Sequence, residues 1–261
     1  MKALIDADVL VYSCAFACQQ KTEEGLILKD VTEVNELIDR SIKDIVAAVY
    51  STEPPALYLT GSGNFRFKAA KSRPYKGNRK QLKPHYYSYI RAYLQSQWGA
   101  IVVNGMEADD ALAIHQTSRL AYKDTIICSI DKDLRQVEGW HYSWESGRAG
   151  SKGPDLVSNP GTLVLKGPKK LTGTGDLFFY SQLLTGDSTD TYDGLQGCGP
   201  IRAFNVLDGA TTPQEMYTRV LEAYVGKYGD EAEERLYEQA QLAYMIREVD
   251  SEGVPVFWER P

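Results

Sequence analysis

Several things are scarce in these 261 residues. Cysteine occurs four times, at Cys14, Cys18, Cys128 and Cys198, with no CxxC pair and no zinc spacing. That excludes a zinc ribbon and a disulfide framework, and free thiols suit a reducing cytoplasm. Histidine occurs three times, too few for imidazole-rich metal chemistry. No apolar run approaches the ~18 residues of a membrane span. The start, MKALIDADVL, turns acidic within six residues and lacks a signal-peptide layout. The expected setting is cytoplasmic, with no membrane.

Acid is missing in a more telling way. From Pro54 to Met106 there is no Asp or Glu, while nine Lys or Arg fall in the same 53 residues: Arg66, Lys68, Lys71, Arg73, Lys76, Arg79, Lys80, Lys83 and Arg91. The net charge is −6 overall, so the other residues carry 20 positive and 35 negative side chains. A basic lobe beside an acid-rich body is what a metal-dependent enzyme acting on a polyanion needs. A solvated basic face is the plain alternative, and it would win if the acids were scattered.

They are not scattered. GMEADDALAI packs Glu107, Asp109 and Asp110 into four residues, after the apolar strand Ala100–Asn104. Acids favour a first helical turn because the dipole is positive there, but capping needs only one or two. Asp6 and Asp8 flank Ala7 at the end of strand Lys2–Asp6 and share one side if the backbone is extended. Asp131 and Asp133 sit in SIDKDL after strand Thr125–Ile130, and Asp187 and Asp190 sit in GDSTD. Acids recur where a parallel sheet opens its crevice, and so many carboxylates ionise together only with cations. Hard oxygen donors suit magnesium or manganese. Two such ions about 3.5–4 Å apart stabilise both oxygens of an in-line displacement.

Periodicity predicts helices at Val9–Cys18, Val31–Tyr50, Pro84–Trp98 and Glu107–Tyr122, and a strand at Ala56–Thr60. His141–Trp144 reads as an edge strand, 145–161 as a loop and Thr162–Lys166 as a strand. The chain reads as helical from Gly175. Strands alternating with helices give an α/β fold, a mostly parallel central sheet flanked by helices. Residues 1–170 form the expected core, with a basic, partly mobile segment at 64–83. Residues 171–261 form a helical subdomain. In SRPYKGNRKQ, Lys76 and Arg79 are placed to neutralise charge on a reacting phosphate, and Tyr75 to stack on a terminal base. In GLQGCGPIRAF, Gly197 and Gly199 let backbone N–H groups approach phosphates, with Arg202 beside them.

These pieces, in the order LIDADVLVYS, RPYKGNRK, GMEADDALA, SIDKDLRQV and LLTGDSTDTYDGLQGCGPIRA, resemble the flap endonuclease / 5′→3′ exonuclease superfamily, most nearly its short phage-encoded exonucleases. The resemblance covers residues 3 to about 207. It implies a PIN-like or FEN-like core with an arch-like segment at about 64–98 and a helix-hairpin-helix at about 186–207. It implies metal ligands at Asp6, Glu107, Asp109, Asp110, Asp131, Asp133, Asp187 and Asp190, with Asp6 and Asp131 central to catalysis. It implies a phosphate-steering pair at Lys76 and Arg79, and extends DNA contact to Lys80 and Lys83. The implied cofactors are two or more magnesium or manganese ions, with potassium at the hairpin. The implied substrate is double-stranded DNA with a 5′ end, with RNA–DNA hybrids and 5′ flaps as further substrates, cut by a monomer in the host cytoplasm.

Two departures stand out. The family ends its second strand in a further acid, whereas here Thr60–Ser62 holds none, and Asp8 is expected to compensate as a ligand. Only 27 residues separate Arg79 from Glu107, short for a full arch, so trimming of duplex ends is expected over threading. Three other readings account for less. A haloacid-dehalogenase-type phosphatase would use Asp6 as nucleophile and Asp8 as acid, but leaves YKGNR and GLQGCGP unexplained. A non-catalytic DNA-binding protein needs no acids at strand ends. A compact single-domain ribonuclease lacks the helical tail.

Overall fold

The computed structural model describes residues 1–79, 82–118, 124–145 and 150–261. Lys80 lies outside them. In chain order the elements are β1 (Lys2–Asp6), α1 (Ala7–Ala17), β2 (Gln19–Thr22), β3 (Gly25–Leu28), α2 (Val31–Ala48), β4 (Ala56–Thr60) and α3 (Arg66–Ala69). Then come α4 (Tyr87–Trp98), β5 (Ile101–Val103), α5 (Ala108–Thr117), β6 (Thr125–Cys128), a 3₁₀ turn (Asp133–Gln136), β7 (Gly139–Ser143) and β8 (Lys152–Val157). The remainder is β9 (Thr162–Leu165), β10 (Leu171–Thr174), α6 (Gly175–Thr185), α7 (Pro200–Leu207), α8 (Pro213–Tyr228) and α9 (Ala232–Ala243). No helix among the described residues is long and apolar enough to cross a membrane. All four cysteines are buried and free.

The chain divides into two compact units. The first comprises residues 1–63, 81–132 and 139–156. Its six-stranded sheet runs β5-β4-β1-β6-β7-β8, and β5–β4, β4–β1, β1–β6 and β6–β7 all pair in parallel. From β1 the chain builds outward to β4 and β5, then returns to lay β6 on the other side of β1. That reversal puts the ends of β1 and β6 at the crevice where α/β folds carry their sites. The apolar stripe of α2, Val34, Ile38, Ile42 and Ile45, is buried, each side chain worth roughly 1.5–3 kcal/mol. It joins a core with Ile5, Leu10, Leu57, Leu59, Ile90 and Leu94. A capping box fixes where α2 starts: Asp30 accepts from Thr32 N at 2.7 Å and Glu33 N at 3.1 Å, and Glu33 accepts from Asp30 N. Gly99, at φ 64°, ends α4 in the left-handed region that glycine enters without strain.

The second unit comprises residues 64–80, 133–138 and 157–261. Helices α6, α7, α8 and α9 pack around Phe179, Leu183, Met216, Val220, Tyr224 and Leu236. Pro213 opens α8 behind a Thr212–Glu215 capping box.

Several expectations need correcting. The boundary expected at 170/171 does not hold, because residues 64–80 and 133–138 group with the helical part. The reason is visible at Arg66, which is 1% exposed. Its guanidinium donates to the carbonyls of Leu242 and Tyr244, and Glu238 accepts from Lys71 N, Ser72 N and the Ser72 hydroxyl. The segment expected to arch over the site from 64 to 98 is thus split between the two units. Residues 152–157, expected as loop, form β8 outside β7, so β7 is not the edge; Pro154 in β8 masked the strand from propensity, since proline is tolerated at edges. The expected hairpin at 186–207 holds only α7; the preceding helix ends at Thr185.

Candidate active site

In the first unit, Asp6 ends β1 and caps α1. One oxygen accepts from Val9 N at 3.1 Å and the other from the Ser129 hydroxyl at 2.7 Å. Ser129 Oγ in turn accepts from Asp131 N at 2.9 Å. One serine thus couples the acid ending β1 to the acid following β6. Asp6 is 2% exposed. Burial, reinforced by the charges of Asp8 and Asp131, pushes its carboxyl up to about 7 against the pull of its hydrogen bonds.

Asp8 is not beside Asp6 on an extended backbone, because α1 has already begun at Ala7. One Asp8 oxygen accepts from Arg91 Nη1 at 2.8 Å, the other from Thr60 N at 2.8 Å. Arg91 also donates to Thr60 O at 2.7 Å. The expected compensating ligand is therefore a bracket joining α1, β4 and α4. Thr60, in the place of the absent acid, accepts from Ala108 N at 2.9 Å and so helps to cap α5.

Glu107 caps the same helix, and Asp110 accepts from Glu107 N at 3.0 Å. Two of the three clustered acids therefore do the capping that the plain reading gave them, and both are buried. Asp109 is half-buried in the first turn.

In the second unit, GDSTDTYDG closes into a tight loop. Asp187 and Tyr192 exchange backbone hydrogen bonds of 2.9 and 3.1 Å. Gly186 and Gly194, at φ 66° and 63°, meet back to back; a Cβ on Gly194 would collide with Gly186 N. The Tyr192 phenol is pushed well above its ordinary range by burial first, then by the charges of Asp133, Asp187 and Asp190.

The basic loop fastens to Asp190. Arg79 donates to its Oδ1 at 2.7 Å, the Tyr75 hydroxyl to its Oδ2 at 3.0 Å, and Lys76 Nζ lies 3.9 Å from Oδ2. Lys76 N donates to Asp190 O at 2.8 Å with Lys76 at φ 54°. Residues that the sequence reading set on opposite sides of the reaction, ligand and phosphate-steering pair, neutralise each other here. Tyr75 is 3% exposed, so it packs in the core and does not offer a face to a base. Exposed rings occur at Tyr12 and Phe16 instead, 39% and 41% exposed, with Tyr12 5.0 Å from Tyr87 and 6.4 Å from Phe16 between centroids. Their i, i+4 spacing on α1, opposite the buried face, was the signal available in the sequence. Lys83 Nζ sits 4.3 Å from the Tyr87 ring. Gly197, at φ 81°, has open space where a Cβ would project, Gly199 caps α7, and Arg202 is exposed on it.

Among the described residues, no three carboxylate, imidazole or thiol groups stand close enough together to hold an ion unaided. Much of the acid set is engaged by protein donors, as Asp6, Asp110 and Asp190 illustrate. All-oxygen donors without a closed cage still fit magnesium, which takes one or two carboxylates and fills its shell with water and phosphate.

No protein-family model matches the chain. Among curated proteins it is similar to an exodeoxyribonuclease of Enterobacteria phage T3, 24% identical over 207 residues, a match covering 75% of this chain and 63% of that relative's length. Among solved structures it is similar to a flap endonuclease of bacteriophage T5 in a pseudo-enzyme–product complex with DNA and metal ions, with TM-score 0.53, 13% identity, and 92% of this chain and 98% of the other covered. It is also similar to the catalytic core of Rad2 in complex with a DNA substrate, with TM-score 0.52, 14% identity, and 100% and 83% covered. At these identities the likeness to solved structures establishes a shared fold.

Proposed function

We propose that the chain is a member of the flap endonuclease / 5′→3′ exonuclease superfamily and, within it, a metal-dependent 5′→3′ exonuclease acting on duplex DNA. The carrying observation is Asp6: a buried carboxyl at the sheet's reversal point, flanked by Asp8 and Asp131, pushed up to about 7. A cation beside it would favour the charged form at neutral pH, in competition with a proton. In the first unit Asp6, Glu107, Asp109, Asp110 and Asp131 are oxygen donors offered to magnesium or manganese; in the second, Asp133, Asp187 and Asp190 are such donors. Bound there, such ions would supply a water of lowered pKa and neutralise charge on the phosphodiester. Potassium at the Gly197–Gly199 turn belongs to the same reading.

The protein's own groups do the rest. Lys76 and Arg79 exchange Asp190 for the scissile phosphate, a like-for-like swap of one anionic partner for another. Backbone N–H groups near Gly197 and Gly199, with Arg202, hold phosphates of the duplex without reading bases. Tyr12 and Phe16 give an unpaired terminal base a ring to stack on, at roughly 1–3 kcal/mol per base. Lys83, beside Tyr87, adds positive charge there. Both oxygens of Asp8 accept from N–H groups, of Thr60 and Arg91, an engagement that the phosphatase reading does not explain.

The test is a 5′-labelled series of blunt duplex, nicked duplex, 5′ flap and RNA–DNA hybrid, each with magnesium and with EDTA. Magnesium-dependent release of short 5′ products from blunt or nicked duplex supports the reading. Cutting in EDTA, or hydrolysis of para-nitrophenyl phosphate without DNA cleavage, would sink it. Arg202→Ala should weaken duplex binding for all sequences alike and lower the salt slope by about one, as measured by anisotropy in calcium. Lys76→Ala should cut about 10²–10³-fold more slowly in single turnover, whereas a wild-type rate removes Lys76 from the reaction.

A further inference from the structure

A chain of buried amides in the helical unit ends on a candidate ligand. Gln182, on α6, donates from Nε2 to Asp133 Oδ1 at 2.6 Å. Its carbonyl accepts from Gln136 Nε2 at 3.0 Å. Gln136 Nε2 also donates to Ala243 O at 2.8 Å, and its Oε1 accepts from Met245 N at 3.2 Å. Gln136, Gln182 and Asp133 are 0%, 3% and 9% exposed.

The direction of this relay is forced. A backbone N–H only donates and a backbone carbonyl only accepts, so Met245 and Ala243 allow one orientation of the Gln136 amide. That orientation turns the Gln182 carbonyl towards Gln136 and its NH2 towards Asp133. Arg247 holds the 3₁₀ turn from behind, donating to Gln136 O at 3.0 Å and to Asp176 at 3.0 Å. Asp133 Oδ1 is therefore held by the Gln182 amide. Burying two amides costs desolvation that apolar side chains of similar volume would avoid. The expense is explained if the aim of the relay is the carboxylate at its end.

We propose that Gln182, oriented by Gln136 and the backbone of 243–245, is a positioning residue that sets the angle at which Asp133 meets a divalent ion. This rests on reading Asp133 as an ion ligand. The experiment is calorimetric titration of the DNA-free protein with manganese, alongside its thermal midpoint. Gln182→Met keeps the volume and removes the donor. Its manganese dissociation constant should rise about 10–100-fold, the usual effect of removing a group that orients a ligand, with cleavage largely recovered at saturating manganese. Gln136→Met, which leaves Gln182 in place but free to turn, should give a smaller rise and serves if Gln182→Met does not fold. Unchanged manganese affinity with only a lowered midpoint would overturn the inference and leave the relay structural. Asp133→Asn separates the two layers. If it too leaves the affinity unchanged, the ligand reading has failed; if it weakens binding while Gln182→Met does not, only the positioning role has.

Discussion

Asp6→Asn should abolish DNA cleavage while leaving the metal-free protein at least as heat-stable at pH 8 as the wild type. A carboxyl whose folded pKa lies above its unfolded one stabilises the fold fully below the unfolded value and ceases to do so as pH rises through the folded one. For Asp6 that window runs from 3.8 to about 7. At pH 8 the metal-free wild type therefore carries an unfavourable buried charge that asparagine, of the same shape, does not. Asparagine can still accept from Val9 N and meet Ser129. Cleavage should fall by at least the roughly 10²–10³-fold that loss of one electrostatic stabiliser costs. Excess magnesium should reverse the order of thermal midpoints, raising the wild type more, and more at pH 8 than at pH 6, where protons compete. Calorimetric scans with and without EDTA measure all of this. A mutant less stable than the metal-free wild type at pH 8 would mean that Asp6 is not held against its own charge.

Gly194→Ala carries a large expected loss of stability. The residue sits at φ 63°, and its new Cβ would collide with Gly186 N and lie 2.9 Å from Gly186 Cα and Leu184 O. All three neighbours are backbone, so none can swing aside. A left-handed alanine costs roughly 1–2 kcal/mol and an unrelieved contact typically 1–3 more. The loop bearing Asp187 and Asp190 should open, and cleavage should fall with it. Gly197→Ala is the matched control. It shares the positive φ but has open space around it, so it should lose only the conformational share and reveal itself in duplex affinity. Denaturant midpoints distinguish the two, and equal destabilisation would deny the back-to-back contact.

Much of this could be read from residues alone. The alternation of apolar runs and helical stripes gave the sheet and most helices, because hydrophobic period is a local property. Acids at Asp6 and Asp131 stand out for the same reason, at the ends of apolar runs. Partnership was hidden. Nothing local says that Arg66, one of nine basic residues in an acid-free stretch, would be swallowed by carbonyls some 176 positions away. Nor does it say that Asp190 would hold Tyr75, Lys76 and Arg79, or that Glu107 and Asp110 would spend themselves on a helix start. Charge counts treat such residues as free; folding decides which already have an opposite number. Gln136 and Gln182 left no trace in the sequence, since a glutamine in a helix looks like surface.

The carbonyls that receive Arg66 belong to residues 242 and 244, and the backbone groups that orient Gln136 belong to 243 and 245. Side-chain changes there leave those acceptors and donors in place. One inserted or deleted residue would not: it would shift every partner by a register, strand a buried guanidinium and turn an amide the wrong way. Length, more than spelling, should be what natural variation preserves between α9 and Arg247.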